Sequence, residues 1–118
     1  MTLHHVSLEV RRDDVPAELR FWALLGFGRV EPPGTLAEIA AWVQRGATQI
    51  HLLFSDDPVV PPGGHAAVVA EDFEGTVAAL RAAGFDPEEH ERHWGAARAF
   101  VHSPGGHRVE LMAQPPPA

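Results

Sequence analysis

The chain contains no cysteine, no tyrosine and no lysine, and all nine of its basic residues are arginine. Without cysteine there can be no disulfide, no thiolate metal ligand and no thiol nucleophile, a composition that fits a cytoplasmic protein. Without lysine there is no Schiff-base chemistry, and without tyrosine no phenolic acid or base. No apolar run approaches the roughly 20 residues that a membrane span needs. The opening MTLHHVSLEV lacks the basic start and apolar middle of a signal peptide. A formal charge of −7 leaves no broad basic face for nucleic acid. Neither a nucleic acid nor a membrane is expected as a partner. What remains, 118 residues with 45% hydrophobic content, is enough for one domain with its own core.

Internal duplication organises that domain. LHHVSLEV leads to VPAELRFWALL, then Gly26-Phe27, and later IHLLF; GHAAVVAED leads to FEGTVAALRAA, then Gly84-Phe85, and later HRVELMA. The separation from His5 to His51 is 46 positions, and from His65 to Glu110 it is 45. The repeats span about 3–55 and 64–113, joined by the Pro- and Gly-rich SDDPVVPPGG and followed by a flexible tail at 114–118. Alternation predicts a strand over 3–10, and apolar spacing predicts a helix over 14–25 that stops at Gly26. Segments 39–45 and 48–54 read as a hairpin around Gly46. In the second repeat the pattern predicts strands over 65–71, 97–102 and 107–113, a helix over 73–83, and a less clearly patterned strand over 85–91.

Four polar residues occupy comparable places in this scheme. His5 alternates against Val6 and Leu8, His51 against Ile50 and Leu52, His65 against Ala66 and Val68, and Glu110 against Val109 and Leu111. Each therefore falls on the polar face of the first or last strand of its repeat. One histidine on such a face is ordinarily just solvated, but four at equivalent repeat positions are not independent accidents. Imidazole and carboxylate together suit one divalent ion such as Zn²⁺, Ni²⁺, Fe²⁺ or Mn²⁺. By the same alternation His4 falls on the helix-facing side and is not expected to bind metal.

LHHVSLEV, FWALLGF, GHAAVVAEDFEGTVAALRAAGF and ARAFVHSPGGHRVELM together resemble the vicinal oxygen chelate superfamily, which includes glyoxalase I, bleomycin-resistance proteins and extradiol dioxygenases. The resemblance covers nearly the whole chain. It implies an α+β fold of two βαβββ repeats forming a curved eight-stranded mixed sheet cup, helices on its outer face, a homodimer, and a divalent metal in the cup. His5, His65 and Glu110 match the family's commonest ligands. His51 stands where a glyoxalase-like member would offer Glu or Gln, and His102-Ser103 replaces an aspartate before the Pro-Gly turn. A site of three histidines and one glutamate would leave a divalent ion with net charge near +1, a stronger Lewis acid with one carboxylate fewer to serve as base.

The chemistry the family implies is stabilisation of an enolate or alkoxide by metal binding of neighbouring substrate oxygens, with Glu110 as ligand or proton acceptor. A glyoxalase-like lyase or isomerase ranks first. A bleomycin-resistance-type binding protein without catalysis is the alternative, and an Fe(II) dioxygenase using His5, His65 and Glu110 is a further one. Arg98 is a candidate anchor for a substrate carboxylate, against the plainer reading of a surface ion pair. Trp94 is a candidate pocket wall. Trp22 and Trp42 read as core or interface residues, and the spacing of His90 and His93 is a weak signal for a second metal site.

Overall fold

The computed structural model describes residues 1–118, and the chain divides into two compact units, Met1–Val60 and Pro61–Ala118. Each unit is a βαβββ repeat, so the α+β class and the duplicated order expected from the sequence are observed. The first contains β1 (His5–Val10), α1 (Val15–Leu24), β2 (Gly28–Val30), β3 (Ala40–Arg45) and β4 (Thr48–Phe54). The second contains β5 (Ala66–Val69), α2 (Phe73–Ala82), β6 (Glu88–His90), β7 (Arg98–His102) and β8 (Arg108–Met112). Hydrogen bonding arranges the eight strands as two four-stranded mixed sheets, β1-β4-β3-β2 and β5-β8-β7-β6. In each, the first strand pairs in parallel with the last, and the remaining pairs are antiparallel.

Alternation sorts each sheet into an apolar and a polar face. In the first unit Val10, Val43, Ile50 and Leu52 lie on one face, all at most 2% exposed. Helix α1 lies against β2 and β3. It contributes Phe21 and Trp22 to the buried set, with the Trp22 ring edge-on to Phe27 at 5.4 Å. The Trp22 indole N–H donates to Glu18 one turn earlier at 3.2 Å, so the buried indole is satisfied within its own helix. In the second unit Val77 and Leu80 of α2 join Ala99, Val101, Val109 and Leu111 in the buried set.

Among the departures from the sequence pattern, β5 covers only 66–69 of the expected 65–71 and leaves His65 just ahead of it. The strand expected from residue 3 begins at His5, leaving Leu3 exposed at 71%. The three residues of β2 are too short to display alternation, and one of them is glycine. Strand β6 is confined to 88–90 within the 85–91 segment.

Both helices end before a glycine in the left-handed region, Gly26 at φ +87° and Gly84 at φ +93°. Helix α2 is also capped at its start, where Asp72 accepts a hydrogen bond from Gly75 N at 3.1 Å. A Cβ at residue 75 would collide with that carboxylate, so glycine there is a condition of the cap. Asp72→Ala is expected to cost about 1 kcal/mol of stability, read as a shifted midpoint in urea unfolding. An unchanged midpoint would show that the cap contributes nothing.

Candidate functional site

The polar face of the first unit carries a stack of three rings. Register places His51 of β4 directly opposite Trp42 of β3 and beside Ser7 of the parallel β1. The Trp42 and His51 rings are stacked with centroids 3.9 Å apart and planes 2° apart. The His5 ring lies on His51 at 3.8 Å and 15°. Of the two tryptophans read as core or interface residues, Trp22 is in the core and Trp42 is half-buried on the histidine face.

A hydrogen-bond chain fixes the His51 tautomer. Gln44 donates its amide to the Gly46 carbonyl at 2.9 Å, and Gln49 donates to Gln44 Oε1 at 2.7 Å. That turns Gln49 Oε1, an acceptor, toward His51 Nε2 at 2.8 Å. The proton of the neutral ring therefore sits on Nε2, and Nδ1 keeps the lone pair. Burial, followed by the proximity of His5 and then His4, holds the His51 pKa below its ordinary 6.5.

His4 departs from expectation. It precedes β1, so strand alternation does not govern it, and its Nδ1 lies 2.9 Å from His5 Nδ1. His4, His5 and His51 offer nitrogens that all lie within 4.8 Å of one another. A common ion for His5 and His51 nevertheless conflicts with their stacking. Imidazole lone pairs lie in the ring plane, and rings stacked at a 3.8 Å centroid separation and 15° aim theirs nearly parallel, so they do not converge on one ion about 2.1 Å from each nitrogen. His4 stands at 90° to His5, which removes that conflict for the His4–His5 pair.

The second unit gathers His65, Arg98 and Glu110. Glu110 of β8 lies between Ala67 of β5 and Phe100 of β7, so the wiring repeats that of His51 between Ser7 and Trp42. Glu110 is 8% exposed, and both of its oxygens are engaged. Oε1 lies 3.1 Å from His65 Nε2, and Oε2 accepts from Arg98 Nε at 3.0 Å. Arg98 also donates to the Glu91 carbonyl at 3.1 Å. His65 Nδ1 lies 2.9 Å from the Gly63 carbonyl, which can only accept, so Nδ1 carries a proton. In the neutral ring, Nε2 then presents a lone pair to a carboxylate oxygen. Two acceptors 3.1 Å apart require a proton or a cation between them.

That spacing fits a metal. Two atoms bound at about 2.1 Å to one ion stand about 3.0–3.4 Å apart across octahedral to tetrahedral angles. A ligating histidine characteristically donates its other N–H to a backbone carbonyl, as His65 does to Gly63. His65 and Glu110 therefore pass the donor test, and Arg98 secures the remaining carboxylate oxygen.

The other candidates have structural partners. Trp94 is half-buried and donates its indole N–H to the Gln114 carbonyl at 3.0 Å, tying its loop to the start of the tail. His90 packs edge-on to Phe100 at 4.7 Å, and its contact to Glu88 is 4.0 Å. Ser103, in place of the family's aspartate, accepts from His107 N at 3.2 Å and closes the β7–β8 turn. The Trp42 stack was not legible in strand periodicity, which identifies a face but not which rings on it will touch.

The His51 geometry predicts a particular pH response. Its folded pKa is depressed, so between 6.5 and that lower value the unfolded chain binds the proton more readily. The contribution of His51 to stability is therefore complete above pH 6.5 and is lost as pH falls toward the folded value. NMR titration is expected to give His51 a midpoint below 6.5, rising in His5→Gln. A midpoint at or above 6.5 would contradict the buried, neutral assignment.

The sequence matches the profile of the Glyoxalase/Bleomycin resistance protein/Dioxygenase superfamily over residues 2–111. No curated protein matches the chain. Among solved structures, a glyoxalase family protein from Bacillus anthracis superposes with a TM-score of 0.84 at 18% identity, covering 95% of this chain and 93% of its own. Oxidase ChaP-H2 has a TM-score of 0.79 at 19% identity, with 100% and 97% covered. Lactoylglutathione lyase from Agrobacterium tumefaciens has a TM-score of 0.70 at 19% identity, with 94% and 92% covered. At these identities the likeness to solved structures is one of fold, while the profile match spans nearly the whole sequence. The chain belongs to the Glyoxalase/Bleomycin resistance protein/Dioxygenase superfamily.

Proposed function

We propose that this chain is a metal-dependent lyase or isomerase of the glyoxalase type, acting on a small substrate with two neighbouring oxygens. The observation that carries the reading is the His65–Glu110 pair. Nδ1 of His65 is committed to Gly63, and Nε2 faces Glu110 Oε1 at 3.1 Å, an arrangement that a divalent cation satisfies. Members of this superfamily commonly bind such an ion, and its identity among Zn²⁺, Ni²⁺, Fe²⁺ and Mn²⁺ is left to measurement.

In the proposed assignment His65 and Glu110 are the ligands that the second repeat supplies, and His5 is the residue of the first repeat that matches the family's ligand pattern. The His5–His51 stack admits only one of the two rings to a shared ion, and His51, with its Nε2–H held by Gln49 and Nδ1 free, stands beside His5 as a candidate for that place. A bound divalent ion would supply Lewis acidity to the substrate's paired oxygens. Glu110 has the added role of proton acceptor, oriented by Arg98, so Arg98 is proposed as a positioning residue rather than a substrate anchor. Trp94, committed to Gln114, is proposed to brace its loop. The proposal includes a homodimer in a reducing cytoplasm, consistent with the absence of cysteine.

A second reading has its own support. Glu110 already has a partner on each oxygen, and a protonated His65 would satisfy the site without metal, as in a bleomycin-resistance-type binding protein. Metal analysis of protein purified without added ions separates the two. We expect about one divalent ion per chain, lost in Glu110→Gln together with lyase or isomerase turnover. Metal-free wild-type protein that cannot be loaded would leave the binding-protein reading standing alone.

A further inference from the structure

Beside the Glu110 site, the polar face of the second unit opens into a cavity of about 510 Å³, a volume suited to a small ligand. Its lining includes Phe85, Phe100, His102 and Arg108, together with the carboxylates Asp86 and Glu88. Arg108 lies two residues before Glu110 on the same strand and the same face. Its guanidinium carbon sits 3.6 Å over the Phe100 ring centroid, and it makes no hydrogen bond or ion pair within the chain. Arg98, the other arginine of this face, is already committed to Glu110 and to the Glu91 carbonyl.

The first unit provides an internal control. Gln49 lies two residues before His51, as Arg108 lies two before Glu110. Across the hairpin Gln49 pairs with Gln44, as Arg108 pairs with His102. In the first unit that pair closes on itself through the 2.7 Å Gln49–Gln44 hydrogen bond. In the second unit no hydrogen bond joins the side chains of the corresponding pair, Arg108 and His102. A half-buried guanidinium seated over an aromatic ring in the wall of a cavity is suited to take a planar anion in two parallel hydrogen bonds.

We propose that Arg108 is a carboxylate-binding residue, and that this cavity takes the carboxylate end of a small organic acid. Carboxylate is preferred to phosphate because Asp86 and Glu88 line the same space, and a dianion would meet twice the repulsion that a monoanion does. Phe85 provides an apolar wall for the ligand's body. The carboxylate site stands on the cavity alone. Placing the ligand's reactive end toward Glu110 rests on the proposed lyase or isomerase reading, and would make its substrate a carboxylic acid.

The test is NMR-detected titration of the full chain, as purified and after chelation, with benzoate, benzamide and phenyl phosphate. Benzoate is expected to bind at least about tenfold more tightly than benzamide, the loss expected for a charge-assisted pair, and more tightly than phenyl phosphate. Arg108→Gln should lower benzoate affinity to the benzamide level. Arg108→Lys, which keeps the charge but not the fork, should lose part of it and guards against a folding defect in the first variant. Equal affinity for benzoate and benzamide, tighter phenyl phosphate, or wild-type affinity in either variant would overturn the proposal. So would benzoate binding that disappears on chelation, since the carboxylate would then be on an ion. A protein that proves unable to hold metal would sink the lyase reading while leaving the benzoate result untouched.

Discussion

In both repeats the first strand pairs in parallel with the last, and this pairing decides what the middle of the last strand can touch. His51 is set between Ser7 and Trp42, and Glu110 between Ala67 and Phe100. In each case a small residue stands on the parallel side and a large aromatic on the antiparallel side. The small neighbour leaves room for the histidine two positions earlier, His5 or His65, to reach over. The aromatic supplies a flat, apolar wall. A one-residue slip in either ladder would turn every one of these side chains toward the core face and bring buried aliphatics outward. The burial of Val43, Ile50, Leu52, Val109 and Leu111 therefore holds the polar constellation in place from the opposite side of the sheet.

The two repeats use this shared frame for different electrostatic ends. The first is built on stacking and neutral hydrogen bonds. A backbone carbonyl orients Gln44, Gln44 orients Gln49, and Gln49 sets the proton on His51. Burial then keeps that ring uncharged. The second repeat is ionic. Glu110 joins His65 to Arg98, while Phe100 carries the Arg108 guanidinium on its ring and receives His65 and His90 edge-on. Sequence duplication thus preserved the register while the side chains diverged from amide and imidazole to guanidinium and carboxylate.

Two arginines on one face illustrate how partners decide function. Arg98 lies on the same strand as Phe100 and Arg108 on the neighbouring strand, and both are half-buried. Arg98 spends its donors on Glu110 and on a carbonyl, which makes it an orienting group. Arg108 holds only the ring beneath it. Alternation alone cannot distinguish them, because both point to the same side and both carry the same charge.

The sequence by itself determined the duplication, the order of the patterned strands and helices, and the polar face on which His5, His51 and Glu110 lie. These follow from local periodicity, glycine stops and equal spacing, all of which are properties of neighbouring residues. It also identified Trp22 as core, since its helical position leaves little alternative. The tertiary structure decided the rest. It placed His4 beside His5 because the strand begins two residues later than alternation assumed. It brought Trp42 onto His51, since that contact depends on the register between β3 and β4. It assigned Arg98 to Glu110 and left Arg108 facing a cavity, because hydrogen-bond partners come from strands far apart in sequence. Local pattern fixes the direction in which a side chain points, and only the pairing of distant strands decides what it meets there.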